Sequence, residues 1–207
     1  MSIDVIWRPN TNSTYYTTVF IDEMDPRYIL DKYSENWWGW QFGFYRKDFL
    51  IKSSTIRMEY NWLDHRVYRN RITMNDYYHY GYPLGFWGGP HSEEFFMDYS
   101  LKLINTEIII RYSNAKRGQL TEQMLDDAYE SIYYERYSGV LEHKQIVKVI
   151  AIREIYPNIQ IHCGIDMINW VNGGFDPYNN PDIIFDDLYD VNKLSLSIGL
   201  QYNYVMK

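Results

Sequence analysis

No stretch of this chain approaches the roughly eighteen consecutive apolar residues that a membrane-crossing helix needs, so helical spanning is excluded. Cysteine is almost absent. Cys163 stands alone, so no intrachain disulfide framework exists, and its alternating surroundings make it a small apolar strand residue rather than a nucleophile. Basic charge is in deficit, with 20 Lys and Arg against 27 Asp and Glu and a net charge of −7. With no basic stripe, this argues against nucleic acid as a partner.

Catalytic signatures are missing too. There is no Ser/His/Asp, Walker or dinucleotide motif. Glu93 and Glu94 are adjacent, and neighbours on a strand point to opposite faces, so they make no glycosidase pair. His79 and His91 match no zinc spacing. The acidic stretch 182–190 lacks calcium-loop spacing and reads as a solvated loop. The expectation is a non-enzyme with no cofactor and no metal.

What the chain has is aromatics, 18% of its 207 residues, with 22 Tyr and 7 Trp. Aromatic belts at membrane interfaces are one physical reason for such a content. It also has a period of two. Leu194, Leu196, Ile198, Leu200, Tyr202 and Tyr204 alternate with Ser195, Ser197, Gly199, Gln201 and Asn203. Side chains alternate across a strand, so one face is apolar and the other polar. About ten residues of this pattern fit a strand tilted across a bilayer.

The same period recurs from Trp38, Ile56, Phe95, Ile108 and Ile161, with less regular strands near 15–24 and 143–155. Phe96 and Ile109 interrupt the polar face. The total is about eight strands, an even number, as in bacterial barrels. Short links near 47–50, 104–105 and 156–158 alternate with long ones near 25–36, 65–92, 116–141 and 172–192. That order puts long loops on one rim and short turns on the other, as in outer-membrane barrels. Leu120, Met124, Leu125 and Ala128 recur at helical spacing within 120–137, so a short helix against the rim is expected there. Arg57, Glu59, Asp98, Lys102, Glu107, Arg111 and Asp166 all fall on the polar face.

The expected fold class is all-β: an antiparallel transmembrane β-barrel forming a single domain over 1–207. The start lacks a basic region followed by an apolar one. The expectation is therefore the C-terminal part of a longer barrel.

The loop after the third strand reads Tyr77-Tyr78-His79-Tyr80-Gly81-Tyr82-Pro83-Leu84-Gly85-Phe86-Trp87-Gly88-Gly89-Pro90-His91-Ser92-Glu93. It resembles the capsule-assembly Wzi family of outer-membrane β-barrels, in which a Gly-Tyr-Pro-Leu-Gly-His-Trp-like loop and Gly-Pro with an acidic residue lead into a strand. Phe86 stands where that family has His. The resemblance covers most of the chain in layout and this loop in motif. It implies an outer-membrane protein that binds or assembles capsular or extracellular polysaccharide, with that polysaccharide and membrane lipid and lipopolysaccharide as partners.

The candidate glycan-contacting residues are Tyr78, His79, Tyr80, Phe86, Trp87 and His91, offered as aromatic platforms and hydrogen-bonding groups. The bland reading of the same loop is a plug, in which aromatics and glycines pack inward. The alternative functions are a passive channel for hydrophilic solutes and a soluble β-sandwich lectin.

Overall fold

A computed structural model describes residues 1–28, 36–68, 78–79, 82–83, 85–127, 134–137, 139–174 and 188–202. Nine antiparallel strands form one sheet in chain order: β1 (Ser2–Asn10), β2 (Ser13–Ile21), β3 (Trp38–Lys47), β4 (Ser54–Leu63), β7 (Ser92–Leu103), β8 (Thr106–Gly118), β9 (Leu141–Tyr156), β10 (Ile159–Gly173) and β11 (Tyr189–Tyr202). A two-stranded ribbon, β5 (Tyr78–His79) with β6 (Tyr82–Pro83), lies in the loop between β4 and β7.

The strand count corrects the expected eight. The missed strand is β1, where Ile3, Val5 and Trp7 alternate with Ser2, Asp4 and Arg8. Nine is odd, so β1 and β11 run in the same direction. They do not pair, and the sheet is open at both.

Connections sort as expected. Thr11-Asn12, 48–53, Ile104-Asn105 and Pro157-Asn158 join strands at one rim, and the long connections all lie at the other. The helix expected over 120–137 is confined to α1 (Glu122–Asp126) among the described residues. Thr121 caps it, its hydroxyl accepting from the Met124 N–H at 3.2 Å.

The register places unlike chemistry on the two faces. One row of partners crosses the whole sheet: Leu194, Met167, Val147, Tyr112, Met97, Met58, Phe44, Tyr15 and Trp7. The next row on the opposite face carries Ser195, Asp166, Lys148, Arg111, Asp98, Arg57 and Tyr45. On the apolar face, charges occur only near the strand ends, as Arg46, Glu93, Lys116, Arg153 and Asp190. The apolar face is also the open one. Leu194 is 63% exposed, Ile198 85% and Met167 54%, while Asp166 and Ile168 beside them are half-buried. A soluble sheet shows the reverse.

The apolar band drifts obliquely. It is centred on Val5 in β1, and the row through Val5 meets β11 at Asn192. On β11 the band is centred on Ile198, six residues further along. That is about 20 Å along the strands over about 38 Å across them, a slope of roughly 30°. Above the band, β8 to β11 turn polar on the same face through Asn114, Gln145, Asn169 and Asn192.

Conventional core is found at the long-loop rim. Trp37, Leu63 and Val67 are buried together, with Phe20, Tyr68 and Phe86 packed against them. Leu120 and Met124, in the connection that follows β8, are also buried.

Candidate functional site

Two structures meet at the long-loop rim: the end of the polar face and the loops that fold over it. Asp64 anchors the loops just past β4. It takes Arg66 Nε at 2.9 Å and His65 Nδ1 at 3.3 Å. Burial alone raises this carboxyl, but His65 and Arg66 outweigh it and hold it below the usual range. Arg66 reaches on to the Asn36 carbonyl at 3.1 Å, tying this loop to the one that follows β2.

Over the polar face lies a hollow of about 210 Å³. Thr18, Gln41 and Asn61, neighbours in one register row, give it a polar floor. Phe20, Tyr68 and Phe86 give it aromatic walls. Tyr68 is fixed on two sides. Its N–H donates to Asp22 Oδ2 at 3.0 Å, and its hydroxyl accepts from the Phe86 N–H at 3.2 Å. A Cβ at Gly85 would collide with the Tyr68 hydroxyl, so this close approach requires glycine. Aromatic faces beside amide and hydroxyl groups match a pyranose, which has apolar C–H faces and an equator of hydroxyls.

Trp87 stands beside Phe86, ring centroids 5.8 Å apart, and is 51% exposed. Its Nε1–H donates to Glu94 Oε2 at 2.7 Å, and Ser113 donates to Oε1 at 2.7 Å. The indole is thus held at its edge with a face left open. Further along the polar face, Trp170 donates to Glu142 at 2.8 Å and lies under the Lys144 ammonium at 4.0 Å. Arg117 closes on the same Glu142 at 2.7 Å.

The six residues singled out from sequence separate here. Phe86 lines the hollow and Trp87 is exposed next to it. His91 does not reach the surface, being only 3% exposed. Its Nδ1 bonds the Gln119 carbonyl at 2.8 Å, its Nε2 accepts from the Tyr137 N–H at 3.3 Å, and its ring stacks on Tyr137 at 5.2 Å. Both nitrogens are committed, which requires the neutral ring. Burial, with Arg136 adding to it, pushes its pKa down to about 4. His91 is a tie between loops. Tyr78 and His79 form β5, and their side chains, with all of Tyr80, lie outside the described residues. So do residues 182–187 of the acidic stretch.

Sequence reasoning missed Thr18, Gln41, Asn61 and Tyr68. The first three are ordinary polar alternates until the register puts them in one row. Tyr68 gave no signal in the sequence.

The rest of the polar face is a wall of paired charges. Arg111 meets Asp98 at 2.6 Å, Arg57 meets Glu59 at 2.6 Å, and Lys148 meets Asp166 at 3.4 Å. Phe96, which interrupts the polar pattern, lies under the Arg57 guanidinium at 5.8 Å. Among the described residues no cluster of His, Cys, Asp and Glu is arranged to hold a metal ion. No family model, no curated protein and no solved structure matches the chain.

Proposed function

We propose that this sheet is part of the wall of an outer-membrane β-barrel, with its long-loop rim outside and its polar face toward the lumen. One observation carries the reading: away from the strand ends charge is confined to one face, and the other face is an oblique apolar band. In water that arrangement leaves a nine-stranded apolar surface unsatisfied. Against hydrocarbon it is the stable one, and barrel strands tilted by about 35–45° cross a horizontal band obliquely. The role we assign is non-enzymatic: binding extracellular polysaccharide at the cell surface. The rim hollow supports it, with Phe86 and Tyr68 as stacking faces, Gln41 and Asn61 as hydroxyl partners, and Trp87 as an outer platform. The resemblance of the 77–93 loop to the capsule-assembly Wzi family makes capsular polysaccharide the expected glycan.

The test is glycan-array binding by detergent-solubilised protein, comparing wild type with Phe86→Ala and Trp87→Ala. Loss of an aromatic stacking face is worth about 0.5–1.5 kcal/mol, so each variant is expected to bind about two- to tenfold more weakly. Undiminished binding by both would end the site assignment.

The transverse row of charges at Asp166, Lys148, Arg111, Asp98 and Arg57 favours a second reading, a passive channel for hydrophilic solutes. Planar-bilayer conductance without glycan binding would select it.

A further inference from the structure

The polar floor of the rim hollow continues beyond the hollow. Thr18, Gln41 and Asn61 belong to a register row that runs on across the polar face through Glu94, Ala115, Lys144 and Trp170. Phe86 and Trp87 stand over the middle of this row. Phe86 walls the hollow on one side. Trp87 is tied to Glu94 and shares a narrow cavity of about 10 Å³ with Ala115 and Lys144. Such a space holds no more than a water, so the indole lies close over the small, buried Ala115 with its other face open. Lys144 is three strands on from Asn61, about 14 Å along the row. A short oligosaccharide crossing Trp87 covers that distance.

The far end of the row carries a cation with no anion. The Lys144 ammonium sits 4.0 Å over the Trp170 ring, which holds the long side chain in place. Trp170 is itself fixed, by its bond to Glu142 at 2.8 Å and by Tyr189 edge-on at 5.8 Å. The neighbouring carboxylates are committed elsewhere. Glu142 is closed by Arg117 at 2.7 Å, and Glu94, two strands or about 10 Å away, accepts from Trp87 and Ser113. Lys148 on the same strand has Asp166 at 3.4 Å. Among the described residues no carboxylate lies within ion-pair distance of Lys144. We propose that the glycan site has a second subsite here, in which Lys144 takes the carboxylate of an acidic sugar unit while the polymer stacks on Trp87. The carboxylate of a uronic acid projects from the ring edge, so stacking and ion pairing do not compete. This inference rests on the polysaccharide reading and adds to it the charge class of the polymer.

The test starts from the glycan array and takes its strongest binder, which is expected to carry a carboxylate. That glycan is then titrated in two forms, intact and with its carboxyl groups reduced to neutral alcohols. A hydrogen bond to a charged group is worth roughly tenfold or more in affinity, so wild type should bind the reduced form at least tenfold more weakly. Lys144→Gln should bring the two forms to equal affinity, while Lys144→Arg keeps most of the preference. Phe86→Ala, at the other end of the row, should weaken both forms alike and leave their ratio unchanged. A neutral glycan as strongest binder, or a preference that survives Lys144→Gln, would overturn the acidic subsite alone. Wild-type protein that binds no glycan would overturn the polysaccharide reading with it.

Discussion

The two faces of this sheet solve opposite problems with the same strands. On β10, Cys163, Ile165 and Met167 stand exposed, while their neighbours His162, Asp166 and Ile168 are half-enclosed. On the polar face, charges meet partners and aromatics carry hydrogen bonds, as with Trp170 on Glu142. On the other face the large apolar side chains of β10 and β11 stand open, although Ile21 and Ile56 on the same face are buried. A sheet built for water spends its apolar residues inward; here they are outward, and they stop where Asn114, Gln145, Asn169 and Asn192 begin. In the proposed reading, that difference corresponds to layered surroundings, apolar beside the band and aqueous above it. The rim supports this by following the ordinary rules, with Trp37, Leu63 and Val67 buried together.

The largest expected break in the comparison comes from moving a charge between faces. Leu196→Arg places a cation in the band, whereas Ser195→Arg places it one residue away on the polar face. In lipid vesicles the first is expected to cost about 2–4 kcal/mol and the second less than about 0.5 kcal/mol. Denaturant titration in vesicles measures both, and equal costs would erase the distinction between faces.

The rim is expected to respond to pH where the band does not. Buried His91 titrates at about 4 in the folded protein against 6.5 for an unperturbed ring. Between those values the unfolded chain holds a proton that the folded chain excludes. The His91 contribution is therefore complete above about 6.5 and is lost as pH falls toward 4, by about 3 kcal/mol. Hydrogen exchange of the loops around 91 and 137 should accelerate over that window, with strand amides unchanged. His91→Gln should flatten the dependence.

Much of the fold was legible because period two needs only nearest neighbours. Ile161, Cys163 and Ile165 announce β10 by themselves, and the alternation of short and long links orders the rims. β1 carried the same signal, blurred by Ile6 on the polar side and by Pro9 near its end. The site was less legible because it depends on register and on loop packing. The aromatic run exposed Phe86 and Trp87 as candidates. Nothing in the sequence could show that His91 would be taken up by Gln119 and Tyr137, or that Tyr68 would complete the hollow.

Gly43→Ala sharpens the comparison from the inside. The Tyr16 ring covers Gly43 and donates its hydroxyl to Glu59, so a Cβ there would fall within that ring. The overpacking is expected to cost about 1–3 kcal/mol, read by the same vesicle titration, although only one methyl is added. On the polar face Asp98→Asn should be the mildest change. Its partner Arg111 is half-exposed, so the stability loss is expected to stay below about 1 kcal/mol. In the channel reading, bilayer reversal potentials should shift toward anions.

The native cysteine gives the most direct measurement. Cys163 is exposed on the apolar face of β10, so a nitroxide attached to it samples what that face meets. In reconstituted membranes its relaxation should be enhanced strongly by dissolved oxygen, which concentrates in hydrocarbon, and hardly at all by a charged nickel chelate. Strong enhancement by the chelate would mean that water reaches this face, and would contradict the account.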